Sequence, residues 1–175
     1  MLKVVNLFGA PGVGKTGVRS ELVGLMKARG LHVEEVKEHA KYLLSLGLDW
    51  MLKEDQLTVL AQQNHWQLVA KRAGFDWVVT DSPLLLCPFY AGQAYLPSFE
   101  SLALEAHRIY SNKNFFLMPQ EGAPYDNRLR EPDPKKARAK SLEMQDYLHR
   151  LKVPFQLLEV NHETAKKILA ALMLA

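Results

Sequence analysis

Eight residues near the start of the chain, Gly9-Ala10-Pro11-Gly12-Val13-Gly14-Lys15-Thr16, constrain the fold more than any others. They spell G-x-x-x-x-G-K-[ST]. A short β-branched and apolar run, Leu2 to Phe8, stands before them. After them Val18, Leu22, Val23, Leu25 and Met26 recur at helical spacing. Strand, glycine loop and helix in this order are the setting in which such a loop closes around a phosphate. Glycines let consecutive backbone N–H groups turn inward with no Cβ in the way. The helix that begins near Lys15 aims the positive end of its dipole at the same anion. Lys15 can reach the β- and γ-phosphates as a point charge, and the Thr16 hydroxyl is placed to ligate Mg²⁺. The expected nucleotide-binding set is Gly9, Pro11, Gly12, Val13, Gly14, Lys15, Thr16 and Gly17, with ATP and Mg²⁺ as ligands.

The 175 residues suffice for one domain with a sizeable core, so the expectation is a single unit over 1–175. The formal charge of +3 permits anionic small molecules or nucleic acid and demands neither. Cys87 is the only cysteine, which excludes an internal disulfide and suits a reducing, cytoplasmic compartment. Met1-Leu2-Lys3 runs straight into the first strand, so no leader is expected ahead of the fold. No apolar run reaches the length of a membrane span, so no membrane partner is expected.

Further along, strand-like and helix-like stretches alternate. Leu31–Val36, Asp76–Asp81, Asn114–Met118 and Pro154–Val160 read as strands. Helical patterns fall over about 37–44, 54–73, 98–110, 133–151 and from Asn161 onward, with a shorter helix within 84–96. In the helix over 54–73, apolar Leu57, Leu60, Ala61, Trp66, Leu68 and Val69 are set against a polar face of Gln56, Gln62, Gln63, Asn64 and Gln67. Ser98 and Asp133 sit where N-caps belong. The alternation predicts an α/β three-layer fold, a five-stranded and mainly parallel sheet covered on both faces. Ligands in such sheets bind beyond the carboxyl ends of the strands.

Three further features, Asp81, Glu38 and the segment after Met118, are expected to meet the loop Gly9–Thr16 at that end. Asp81 closes an apolar strand and can anchor Mg²⁺ or accept a proton from an attacking hydroxyl. Glu38 follows the second strand and can act as base or bind the acceptor's hydroxyl, although Glu34 and Glu35 are equally acidic neighbours. His39 beside it reads as a surface or packing residue. The Pro- and Gly-bounded stretch of about 119–134 has the composition of a lid. Its Arg128 and Arg130 could stabilise charge on a transferring phosphoryl group. Amides of the polar face Gln62, Gln63, Asn64 and Gln67 could read a base, and Trp50, Trp66, Phe89, Tyr90 and Tyr95 could stack on one. Cys87, in an apolar run, reads as structural.

In order along the chain, Gly9–Thr16, Glu38-His39-Ala40-Lys41, Thr80-Asp81-Ser82-Pro83 and Asp126-Asn127-Arg128-Leu129-Arg130 resemble the small P-loop kinases. The group resembled includes the ribosylnicotinamide kinase domain and phage-type AAA-like ATPase/kinase proteins. The resemblance spans nearly the whole chain. It implies an ATP- and Mg²⁺-dependent phosphotransferase acting on a hydroxyl or phosphate of a nucleoside or nucleotide. Lys15 and Thr16 would handle the triphosphate and metal, Asp81 the metal or the base role, and Arg128 or Arg130 the lid. Asp81-Ser82-Pro83 stands where deoxynucleoside kinases carry Asp-Arg-x or Glu-Arg-Ser, which leaves acceptor recognition open. One variant has the acceptor as a hydroxymethylated pyrimidine in phage DNA, with the protein in the host cytoplasm. The rival from another class is a nucleotide-dependent switch or accessory ATPase that passes phosphate only to water.

Overall fold

The computed structural model describes residues 1–92, 95–119 and 134–173. Five strands form one sheet: β1 (Lys3–Phe8), β2 (Val33–Val36), β3 (Trp77–Thr80), β4 (Ser111–Pro119) and β5 (Gln156–Val160). Their order across the sheet is β2-β3-β1-β4-β5, and every neighbouring pair is parallel. Eight helices accompany them among the described residues: α1 (Lys15–Ala28), α2 (His39–Ser45), α3 (Met51–Glu54), α4 (Gln56–Arg72), α5 (Leu86–Ala91), α6 (Phe99–Arg108), α7 (Pro134–Arg150) and α8 (Thr164–Met173). The α/β fold with a five-stranded sheet is as expected from the sequence, and the sheet is wholly parallel.

β1 lies at the centre and is buried on both faces, which is why its sequence is a near-continuous apolar run. Side chains alternate across it. Val4 and Phe8 enter a core with residues of α4, α5, α6 and α7, whereas Val5 and Leu7 enter a second core with α1 and α8. The helix that follows β1 therefore covers one face, and those that follow β3 cover the other. Adjacent strands whose connections leave on opposite faces open a crevice at their carboxyl ends. Here that crevice separates the loop after β1 from the turn after β3.

Besides the short helix α3, which the sequence pattern does not predict, two elements depart from the sequence expectation. β4 begins at Ser111, three residues before the predicted start at Asn114, and opens on the polar stretch Ser111-Asn112-Lys113-Asn114. Its partner explains this. Asn6, buried on β1, donates through Nδ2 to Asn112 Oδ1 (2.8 Å) and Asn114 Oδ1 (2.9 Å), so the asparagines satisfy one another across the sheet.

α4 is the second departure. Gln56, Val59, Leu60, Gln63, Gln67 and Ala70 form its buried stripe, while Leu57, Leu68 and Val69 are exposed. At 100° per residue, Gln63 and Gln67 fall within the arc that runs from Val59 to Leu60 and also holds Ala70. Burying those three apolar anchors carries the glutamines inward and leaves Leu57 and Leu68 on the far side. Both amide atoms of Gln63 and of Gln67 lack a hydrogen-bond partner in the protein. Asn64 accepts from the Tyr110 hydroxyl at 2.8 Å. The expected base-reading face is thus largely core and inter-helix contact.

Candidate functional site

The loop between β1 and α1 is shaped by positive backbone torsions at Gly9 (φ 140°), Gly12 (φ 82°) and Gly14 (φ 97°). Gly9 is the most constrained. A Cβ there would lie 2.5 Å from the Leu117 carbonyl oxygen on β4. Gly14 occupies the N-cap of α1, whose first residue is Lys15. The Lys15 ammonium donates to the carbonyls of Gly9 (2.7 Å) and Ala10 (2.9 Å), spanning the loop it belongs to. No acidic residue occupies the first turn of α1 itself.

Asp81 sits one residue beyond β3 and is 1% exposed. Thr16 Oγ1 donates to its Oδ2 at 2.7 Å, and Arg19 Nη1 donates to its Oδ1 at 2.5 Å. Arg19 reaches further, with Nε 3.3 Å from Glu35 Oε2, and Lys37 Nζ lies 3.5 Å from Glu35 Oε1. A line of alternating charge thus runs Lys37–Glu35–Arg19–Asp81 and ends on the Thr16 hydroxyl. Arg19 is the residue that sequence reading missed. Its signal was present: it occupies the buried stripe Val18, Leu22, Val23 and Met26 of α1, one turn from Thr16 on the same side. A charged side chain in an apolar stripe needs a buried partner.

Glu38 is the N-cap residue of α2, and its side chain does not cap that helix. It is half-buried and lines two cavities, both of which Asp81 also lines. The smaller, about 380 Å³, reaches from Pro11 and Lys15 of the loop to Gln56 of α4 and to Cys87 and Tyr90 of α5. The larger, about 920 Å³, lies beside the edge strand β2 and includes Thr16, Arg19, Glu35 and Trp66.

The remaining sequence candidates separate. Arg128 and Arg130, with the lid expected over about 119–134, lie outside the described residues. His39 is a packing residue, stacked on Tyr42 and edge-on to Trp66, and burial holds its pKa below the usual histidine value. Of the aromatics, Tyr90 and Trp66 reach the cavities, while Phe89 packs on Tyr147 and Tyr95 on Phe99. Cys87 is buried, with its thiol pushed up to about 12 by desolvation, as suits a structural cysteine.

The Thr16 and Asp81 oxygens are hard donors set side by side at the phosphate loop, which suits Mg²⁺. Among the described residues no group of three His, Cys, Asp or Glu could hold a metal. Mg²⁺ at phosphate sites takes only one or two protein oxygens, the rest coming from phosphates and water.

Fold and site together define a small α/β protein built around a phosphate-binding loop. Residues 4–165 match the AAA domain family, and the chain belongs to it. Among solved structures it is similar to thymidylate kinase from Ehrlichia chaffeensis, at 15% identity and a TM-score of 0.58. That match covers 98% of this chain and 100% of that one. It is also similar to NadR protein in complex with NR, at 19% identity and a TM-score of 0.63. There 94% of this chain matches 45% of the NadR chain, so it spans under half of that protein. No curated protein matches the sequence. No described helix is long and apolar enough to cross a membrane.

Proposed function

We propose that the protein is a kinase that moves the γ-phosphate of ATP to a hydroxyl of a nucleoside-type acceptor. The observation that carries this reading is the cavity beside the phosphate loop. There Pro11, Lys15, Asp81 and Glu38 line one cavity that continues into a largely apolar, base-sized space. A loop that only hydrolysed nucleotide would need no such room beside it. Similarity to a thymidylate kinase and to a protein in complex with NR supports an acceptor of nucleoside or nucleotide type.

In this reading the loop amides and Lys15 hold the β- and γ-phosphates and neutralise charge as the phosphoryl group transfers. Thr16 and Asp81 would hold Mg²⁺, which supplies charge neutralisation between the phosphates. Arg19 keeps the Asp81 carboxylate turned toward Thr16. Asp81 already accepts on both oxygens, so Glu38 is assigned the acceptor hydroxyl, orienting it and taking its proton. Arg128 or Arg130 is proposed to close over the γ-phosphate.

The test is ADP release from Mg-ATP in parallel reactions. These hold no acceptor, nucleosides, nucleoside monophosphates, ribosylnicotinamide, or duplex DNA with and without hydroxymethylated pyrimidines. Release confined to the nucleoside or ribosylnicotinamide reactions is expected. Glu38→Gln should lower that rate by about 10²-fold or more while ATP binding persists. Equal slow release in every reaction would overturn the kinase reading in favour of an acceptor-independent ATPase. Release only with hydroxymethylated DNA would move the acceptor into the duplex.

A further inference from the structure

The smaller cavity holds one polar side chain whose orientation is fixed by the protein itself. Gln56 is the first residue of α4, 4% exposed, and lines the cavity together with Leu44, Leu52, Val59 and Leu86. Its Nε2 donates to the Leu52 carbonyl oxygen at 2.6 Å. A carboxamide can be turned over only if both ends find suitable partners. Turning this one would set Oε1 against the Leu52 oxygen at that distance, two acceptors with no proton between them. The amide nitrogen is therefore tied to the end of α3, and the carbonyl oxygen is the end left for the cavity.

The origin of this arrangement is local. Leu52 lies four residues before Gln56, in the short helix α3, and α4 begins immediately after Asp55. The break between the two helices leaves the Leu52 carbonyl without an α-helical donor, and the Gln56 side chain supplies one. Gln56 is thus a cap for α3 that simultaneously presents an acceptor to the space beside the phosphate loop.

From this geometry we infer that Gln56 is a specificity-determining residue of the acceptor pocket and reads an N–H donor on the edge of the acceptor's ring or carboxamide. The inference rests on the kinase reading for the identity of the pocket. The apolar side chains beside Gln56 accept a planar ring, and a ring that buried them without offering a donor would strand the Gln56 carbonyl away from water. A stranded buried acceptor loses its full hydration, so discrimination of about tenfold or more is expected at this one contact. The acceptors that satisfy it carry a lactam N–H, an exocyclic amine or a primary carboxamide.

Paired probes that differ only in that N–H test the assignment. The pairs are uridine and 3-methyluridine, adenosine and N6,N6-dimethyladenosine, cytidine and N4,N4-dimethylcytidine, and ribosylnicotinamide and its N,N-dimethylamide. Binding is measured by titration calorimetry on the full chain with a non-hydrolysable ATP analogue and Mg²⁺, and ADP release is measured with ATP. The wild type should bind one N–H member at least about tenfold more tightly than its alkylated partner. Gln56→Leu has nearly the same volume and should bring the two members within about twofold, chiefly by weakening the N–H member. A purely steric preference would survive in Gln56→Leu and overturn the assignment. Equal binding of both members by the wild type would overturn it without any variant, while acceptor-dependent ADP release would leave the kinase reading standing. Absence of both acceptor binding and acceptor-dependent ADP release would overturn the two together.

Discussion

Arg19→Met is the perturbation that most directly probes how the site is built. Arg19 and Asp81 form a buried ion pair, 5% and 1% exposed, and methionine replaces most of the arginine's apolar stem. The change leaves the Asp81 carboxylate buried with the Thr16 hydroxyl as its remaining side-chain donor. Glu35 loses a partner too, but it is partly exposed and keeps Lys37 at 3.5 Å, so its share of the cost is small. Removing one partner of a buried pair costs about 3–5 kcal/mol, chiefly as the desolvation of the charge left behind. In a domain of this size each kcal/mol lowers the midpoint by about 2–4 °C, so a fall of about 6–20 °C is expected by scanning calorimetry. Asp81→Asn in the same background removes the stranded charge while keeping an oxygen for Thr16. The double variant should then be at least about 2 kcal/mol more stable than the sum of the single losses requires. A midpoint within about 2 °C of wild type for Arg19→Met, with additive behaviour in the cycle, would refute the claim that this pair holds the carboxylate in place.

Three other outcomes follow from the geometry. Gly9→Ala should displace the loop, because its Cβ would meet the Leu117 carbonyl at 2.5 Å and its φ of 140° is one that L side chains rarely adopt; thermal stabilisation by Mg-ATP should vanish while circular dichroism stays native. Thr16→Ala removes one hydroxyl and should leave the unfolding midpoint within a few degrees, yet cut the Mg²⁺ dependence of nucleotide affinity, as read by titration with ATP in magnesium and in EDTA. His107 is buried beside Arg108, and desolvation chiefly, with that charge second, lowers its pKa from 6.5 to about 4. The unfolded chain therefore takes up a proton near pH 6.5 that the folded chain refuses until about pH 4. Stability is complete above about pH 6.5 and falls by about 3 kcal/mol on acidification to pH 4, a loss that urea titrations should show diminished in His107→Leu.

Much of this protein was written locally. A phosphate loop works through consecutive backbone amides at the head of one helix, so every group it needs lies within eight residues and can be read in order. β1 and β3 were legible for a related reason: strands buried on both faces are apolar throughout, whatever their neighbours. Asp81 could be placed because the end of such a strand is also the open end of the sheet.

The rest depended on who meets whom. The first three residues of β4 lie outside the strand that the sequence pattern predicts, and Asn6, more than a hundred residues away, supplies the donors that make Asn112 and Asn114 belong in a sheet. The buried side of α4 could not be chosen from its own pattern, since apolar and amide residues divide almost evenly around it. Three anchors, Val59, Leu60 and Ala70, set its rotation and took Gln63 and Gln67 inside with them. The apolar stripe of α1 marks Arg19 as a charge in need of a buried partner, but neither which partner it meets nor the role of Gln56 could be read from the sequence, for one shared physical reason. A charge or an amide acquires a role from the partner across the fold or the break in the chain beside it, and neither is a property of the residue's own neighbourhood in sequence.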